Sequence, residues 1–238
     1  MCRGSYTGTM PDYALMMRAA DWTQEQRTVY TEIAQRFLAR NPRGRRMLAV
    51  DGRNGVGKSR LAEELRVAFA RAEVTSFAAS MGDFLNVRRV RERQGPASAR
   101  GYYDDTYNLS ELKRALLEPF MMGGSTSFVL KSYDAETESY VEPDWESSGQ
   151  NAVLIVEGEF LARPALRDLW HGFLLVEAAD DVRGPRLQAR DGAHPLISHS
   201  SHGLAQQAHA YYEEAAAPFD RADMLLDNSD WQRPILVR

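Results

Sequence analysis

Eight consecutive residues carry the strongest chemical signal in this 238-residue chain: Gly52-Arg53-Asn54-Gly55-Val56-Gly57-Lys58-Ser59. They fit the pattern G-x-x-x-x-G-K-[ST], and each position has a physical task. The glycines let the main chain wrap an anion with its N–H groups turned inward, and the following helix presents its positive end to the same charge. Lys58 supplies a compact cation for the β and γ oxygens of a polyphosphate, and Ser59 a hydroxyl for its Mg²⁺. Of the 29 basic residues only Lys58, Lys113 and Lys131 are lysines. A lysine here therefore agrees with a cradle too small for a guanidinium. Gly52, Asn54, Gly55, Val56, Gly57, Lys58, Ser59 and, just inside the helix, Arg60 are the candidates to hold a nucleotide.

A triphosphate with magnesium also needs carboxylates, and in open α/β sheets these gather at the C-terminal ends of strands. Val153-Leu-Ile-Val-Glu157-Gly158 is an apolar strand ending in an acid and a glycine, the Walker B arrangement with Glu in place of Asp. Glu157 would thus hold the metal, directly or through water. Asp83, 25 residues beyond Lys58, follows the next strand and is placed to take the proton of an attacking hydroxyl and to touch the metal.

The elements that must position these groups can be read from apolar periodicity. Trp22 to Arg40 predicts an amphipathic helix opened by a Thr23/Gln26 capping box, and the segment up to Asp21 reads as a loose arm. Strand, loop and helix follow from Arg46 to Ala72. Val74–Ala79, Val153–Val156, Gly172–Val176 and Met224–Leu226 supply further strands, with helices beginning near Asn108, Pro164 and Gly203, the last ended by Pro218. Phe128 to Val141 predicts a β-hairpin standing off the main sheet. Apolar strands alternating with helices predict a parallel sheet covered on both faces. The boundaries expected are an N-terminal arm and helix over 1–45 and one α/β domain over 46–238, with the hairpin insert at about 125–145 and a lid at about 183–203.

Composition narrows the class. A net charge of −4 excludes a protein whose main business is coating nucleic acid or anionic membrane. The single cysteine, Cys2, allows no intrachain disulfide and fits a reducing, cytoplasmic setting. No window approaches the ~20 apolar residues of a membrane span.

With these residues in view, the chain resembles the uridine kinase/phosphoribulokinase-like P-loop kinases from about Arg46 to Pro234. The loop GRNGVGKS, the Asp83 segment, Tyr102-Tyr-Asp-Asp-Thr-Tyr107, Tyr133-Asp134, Val156-Glu157-Gly158 and an arginine-rich helix occur in the family's order. The resemblance implies a P-loop three-layer α/β sandwich with a five-stranded parallel sheet, an inserted β-hairpin and a helical lid. It implies ATP and Mg²⁺ as cofactors, with Ser59, Asp83 and Glu157 around the metal and Asp83 as base. Lys58 joins Asp83 in the catalytic set, as do Arg186 and Arg190 from the lid-like stretch Arg183–Asp191, which would stabilise charge in the transition state. Asn228, after the last strand, falls where such kinases contact adenine. The acceptor would be a small hydroxyl-bearing molecule, nucleoside or sugar-like. Its candidate contacts are Tyr103, Asp104, Asp105, Tyr133 and Arg88.

The chain departs from uridine kinases where their acceptor is gripped. Five residues beyond Tyr133 the family carries a His and this chain has Glu138, and the lid's basic continuation is replaced by Asp191-Gly-Ala-His-Pro195. Arg88, Arg89, Arg91, Arg93 and Arg100 read either as a solvated loop or as the receptor for an anionic acceptor. His194, His199, His202 and His209 lack the companions of a zinc site and read as a polar lid. A GTPase would need an Asn-Lys-x-Asp motif, which none of the three lysines offers. A non-catalytic or regulatory nucleotide-binding protein is the alternative to a kinase, and a homo-oligomer stays open.

Overall fold

The computed structural model describes residues 13–122, 124 and 126–238, so Cys2 lies outside the described residues. Helix α1 (Gln24–Arg40) starts at the expected capping box: Thr23 Oγ1 accepts from Gln26 N at 3.1 Å, and Gln26 Oε1 accepts from Thr23 N at 2.9 Å. The segment before it, expected to be loose, is helical over Tyr13–Met17 and makes a 3₁₀ turn over Arg18–Asp21. Trp22 Nε1 anchors it by donating to Glu64 at 2.8 Å.

The sheet is built from β1 (Arg45–Asp51), β2 (Thr75–Ser80), β3 (Ala152–Gly158), β4 (Gly172–Glu177), β5 (Met224–Asp227) and β6 (Ile235–Leu236), in the order β6-β5-β4-β1-β3-β2. The first five are parallel, as expected. The sixth is an antiparallel edge of two residues paired with β5, too short to leave a period in the sequence. Helix α2 (Lys58–Arg71) follows β1, helix α4 (Asp180–Asp191) follows β4, and helix α5 (Gly203–Ala216) precedes β5. A helix expected near Pro164 is only a 3₁₀ turn, Arg167–Leu169. The tyrosine- and aspartate-rich stretch instead forms a helix, α3 (Ala99–Asp105), capped by Ser98.

Strand alternation divides the core into two layers. Leu48, Val50, Val153 and Ile155 pack with Val29, Ile33 and Phe37 of α1 and Leu61, Leu65 and Phe69 of α2. Met47, Ala49, Leu154 and Val156 face Tyr103, Leu116, Phe120, Phe160 and Tyr212 on the other side. Each such side chain contributes about 2 kcal/mol over its exposed state, which fastens α1 to the sheet. All of β3 is buried, as a central parallel strand demands. The insert contains two short ladders, Phe128–Val129 with Trp145–Glu146 and Tyr133–Asp134 with Ser139–Tyr140. Among the described residues, no helix is long and apolar enough to cross a membrane.

Candidate active site

Register brings the loop and its acids to one edge of the sheet. Val50 pairs with Glu157, Asp51 with Gly158, and Ser80 with Glu157 from the other side. The phosphate loop leaves β1 immediately after Asp51, and Asp83 closes the 3₁₀ turn after β2. Gly57 shows why the loop needs glycine: its φ of 94° is left-handed, and a Cβ there would sit 2.7 Å from Asn228 Nδ2. That same amide donates to Val56 O at 2.7 Å, so Asn228 buttresses the loop.

Ser59 and Glu157 are in direct contact, the serine Oγ donating to Glu157 Oε1 at 2.9 Å. Lys58 Nζ folds across the loop to Arg53 O at 3.0 Å. Asp83 is half-buried, and burial raises its carboxyl above the usual range; the nearby Lys131 opposes that shift and Glu157 adds to it. Lys131 Nζ lies 3.7 Å from Asp83 Oδ1 and 3.3 Å from Asp134 Oδ2. One of the chain's three lysines thus attends the proposed base, a position that the rarity of lysine could have signalled.

The residues fit the two groups that the fold implies. Gly55, Gly57, Lys58, Ser59, Arg60, Arg186 and Arg190 line a space of about 210 Å³ rich in donors and cations, suited to phosphate. Ser59, Glu157 and Asp83 offer only oxygen, the donor set of a hard divalent cation such as Mg²⁺.

The remaining candidates divide. Arg186 does not point freely at the loop. Its guanidinium donates to the carbonyls of Asn228 at 2.9 Å and Ser229 at 3.1 Å, and burial lowers its pKa. Arg190 lines the phosphate space and pairs with Asp191 at 2.5 Å. Arg60 stacks on Trp231, 3.3 Å from guanidinium carbon to ring centroid. Tyr103 turns into the core against Phe160 and Tyr212 beneath the Arg163 guanidinium. Asp105 is buried and held by Arg93 and by Gln94 at 2.7 Å, while Asp104 pairs with Arg100 at 2.6 Å. The structure therefore uses these three to build the wall of α3. Tyr102 is the side chain that reaches the loop: its hydroxyl donates to Glu159 at 2.9 Å, beside Asn54 at 3.4 Å.

Glu159 was not expected from the sequence. It is buried and takes Nε2–H of His209 at 2.5 Å and the amide of Asn54 at 3.0 Å. Burial would raise its carboxyl, but the bonds from His209 and Tyr102 hold it below the usual range. At the far end of the site, Tyr133 donates to Glu138 Oε2 at 2.8 Å, and Arg91 and Arg88 donate to Oε1 at 2.6 and 3.2 Å. The hydrogen bond from Arg91, then that from Tyr133, hold the Glu138 carboxyl down at about 2. His194 and His199 stack ring on ring at 4.0 Å in the segment after α4.

At the level of sequence, no family model and no curated protein matches the chain. Solved structures do match. A candidate uridine kinase from Bacillus stearothermophilus superposes with a TM-score of 0.67 at 22% identity, over 85% of this chain and 99% of that one. A candidate fructose transport system kinase from Silicibacter sp. TM1040 gives 0.57 at 21% identity, over 81% and 94%. D-glycerate 3-kinase from Cryptococcus neoformans var. grubii gives 0.57 at 11% identity, over 88% and 98%. The likeness spans nearly the whole of each neighbour, and the fold of this chain is the P-loop kinase fold that they share.

Proposed function

We propose that the chain is an ATP- and Mg²⁺-dependent phosphotransferase that moves the γ-phosphoryl group to a hydroxyl of a small metabolite, nucleoside or sugar-like. The observation that carries this reading is the contact of Ser59 with Glu157 at 2.9 Å, beside a half-buried Asp83 whose pKa is raised. A GxxxxGKS loop alone serves any nucleotide-binding protein. A second carboxylate, set to accept a proton, is what an attacking hydroxyl calls for.

Magnesium, when bound, would neutralise charge on the phosphate oxygens, and Ser59, Glu157 and Asp83 would hold it. The chain's own residues do the rest. Main-chain amides from Gly52 to Ser59 orient the polyphosphate. Lys58 swings from Arg53 O to the transferred group, and Arg190 faces the same space. Asp83 accepts the proton of the acceptor hydroxyl, its raised pKa bringing it nearer to that task. Lys131, from the insert, sets its ammonium between Asp83 and Asp134, where an acceptor would approach.

A coupled assay of ADP release with ATP and Mg²⁺, run across nucleosides, sugars and sugar alcohols, tests the proposal. Stimulation by one hydroxyl compound class is expected. Tight ATP binding with no turnover on any of them would favour a regulatory nucleotide-binding protein instead.

A further inference from the structure

Helix α5 follows the lid segment and packs chiefly on α3, yet two of its side chains reach the phosphate loop through buried acids. His209 and Tyr212 stand three residues apart, on one face of the helix. Tyr212 donates to Asp51, whose other oxygen accepts from Gly52 N at 2.6 Å. His209 donates to Glu159 at 2.5 Å, whose other oxygen accepts from the Asn54 amide at 3.0 Å. Each path thus runs from α5 through one carboxylate to a loop residue.

Close packing cannot hold the loop against α5, because a cavity of about 550 Å³ lies between them. Gly52, Arg53, Val56, His209 and Tyr212 are among its lining residues. Hydrogen bonds at its edge make the connection instead. Asn54 is the node: Arg183 of α4 donates to its carbonyl at 2.9 Å, while its side chain is committed to Glu159. Removing His209 would leave Oε1 of the buried Glu159 without its partner, and the carboxylate held from the Tyr102 and Asn54 side alone. His209 itself is buried against Phe160, 4.9 Å between ring centroids, and outside the phosphate space.

We propose that His209 is a positioning residue for nucleotide binding, holding Glu159 in the conformation that receives Asn54 and so fixing the phosphate loop from α5. The inference rests on reading that loop as the nucleotide site.

The test is Mg²⁺–ADP affinity by titration calorimetry on the full chain, with thermal unfolding followed in parallel. His209→Phe, which keeps the ring but removes the donor, is expected to raise the Kd about tenfold, the low end of what supporting partners contribute. Asn54→Ala is expected to do the same, and the double variant no worse than either alone, because both break one path. His209→Gln, which retains a donor, should bind within about threefold of the parent, roughly 0.6 kcal/mol. A purely packing role would lower the unfolding temperature of His209→Phe and leave its Kd unchanged, and that result overturns the proposal. So does additivity of His209→Phe with Asn54→Ala. If His209→Phe does not fold, the near-isosteric Glu159→Gln takes its place in the same cycle, and an unchanged Kd or additivity with Asn54→Ala overturns the proposal there too. Failure of the parent protein to bind ADP would instead overturn the nucleotide-site reading, and this inference with it.

Discussion

The two ends of the site are built on different principles. The proposed phosphate end is mainly backbone: a strand end, a loop of defined φ and a helix N-terminus, completed by Lys58, Ser59 and Glu157. The proposed acceptor end is mainly side chains brought together across long sequence separations, with Arg88 and Arg91 on one segment and Tyr133 and Glu138 on the hairpin. Backbone geometry serves one ligand and admits little variation. A surface of paired charges can be rewritten one residue at a time, which is how a shared fold comes to serve different acceptors. On the proposed reading, the phosphate end of this chain carries the reaction class and the hairpin end the specificity.

The largest effects should follow from breaking the phosphate end. Lys58→Ala is expected to abolish measurable phosphoryl transfer, a loss of at least about 10³-fold, while the far-ultraviolet circular dichroism stays native. The loop is shaped by its glycines and by Asn228, not by the lysine. Unchanged turnover in that variant would refute the assignment. Asp83→Asn should reduce kcat by about 10²- to 10⁴-fold with ATP binding retained, because removal of a positioned base spares the cradle. Loss of ATP affinity with kcat intact at saturation would place Asp83 on the metal alone.

A middle-sized effect is expected at the acceptor end. Glu138 sits at φ 52°, a left-handed conformation that costs a residue with a Cβ about 1 kcal/mol. Its carboxylate answers to three donors, which makes the hairpin turn and the Arg88–Arg91 segment one unit. Glu138→Gln should therefore raise the KM of whichever acceptor the screen identifies by about tenfold, as two ion pairs lose their anion. The KM for ATP should stay within about twofold, because phosphate contacts are separate. A change in the ATP value alone would erase the distinction between the two ends.

That same distinction explains what could be read from the chain in advance. Local signals were legible: the Thr23/Gln26 box, the Asn108 cap that accepts from Glu111 N at 3.0 Å, the phosphate loop and the acid closing β3. Each is encoded within about eight residues, so short-range chemistry decides it. Tyr102 and Tyr103 show the opposite case. They are neighbours on α3, about 100° apart around the helix, and which one faces the loop depends on a start at Ser98 that the sequence barely marks. Glu159 stayed hidden because its partners are Asn54, Tyr102 and His209, none closer than 50 residues along the chain. The arginine run was ambiguous for the same reason. Arg93 supports Asp105, whereas Arg91 reaches across to Glu138.

The smallest predicted effect sits where the two ends meet. Lys131 belongs to the insert, but its ammonium is 3.7 Å from the proposed base. Burial raises the pKa of Asp83 and Lys131 partly offsets that rise. Asp83 works as a base only when ionised, so activity falls as the pH drops through its raised pKa. Removing the lysine's charge takes away the larger opposing effect and leaves only the backbone hydrogen bond at Ser80 against burial and Glu157, so the pKa rises further. Lys131→Met should therefore move the acid limb of the kcat/KM profile to higher pH, with the plateau at high pH changed by no more than about twofold. A limb that stays in place while the plateau falls would mean that Lys131 contacts the acceptor and does not tune the base. The hairpin would then act through binding alone, and the boundary between the two ends would run between Asp83 and Lys131.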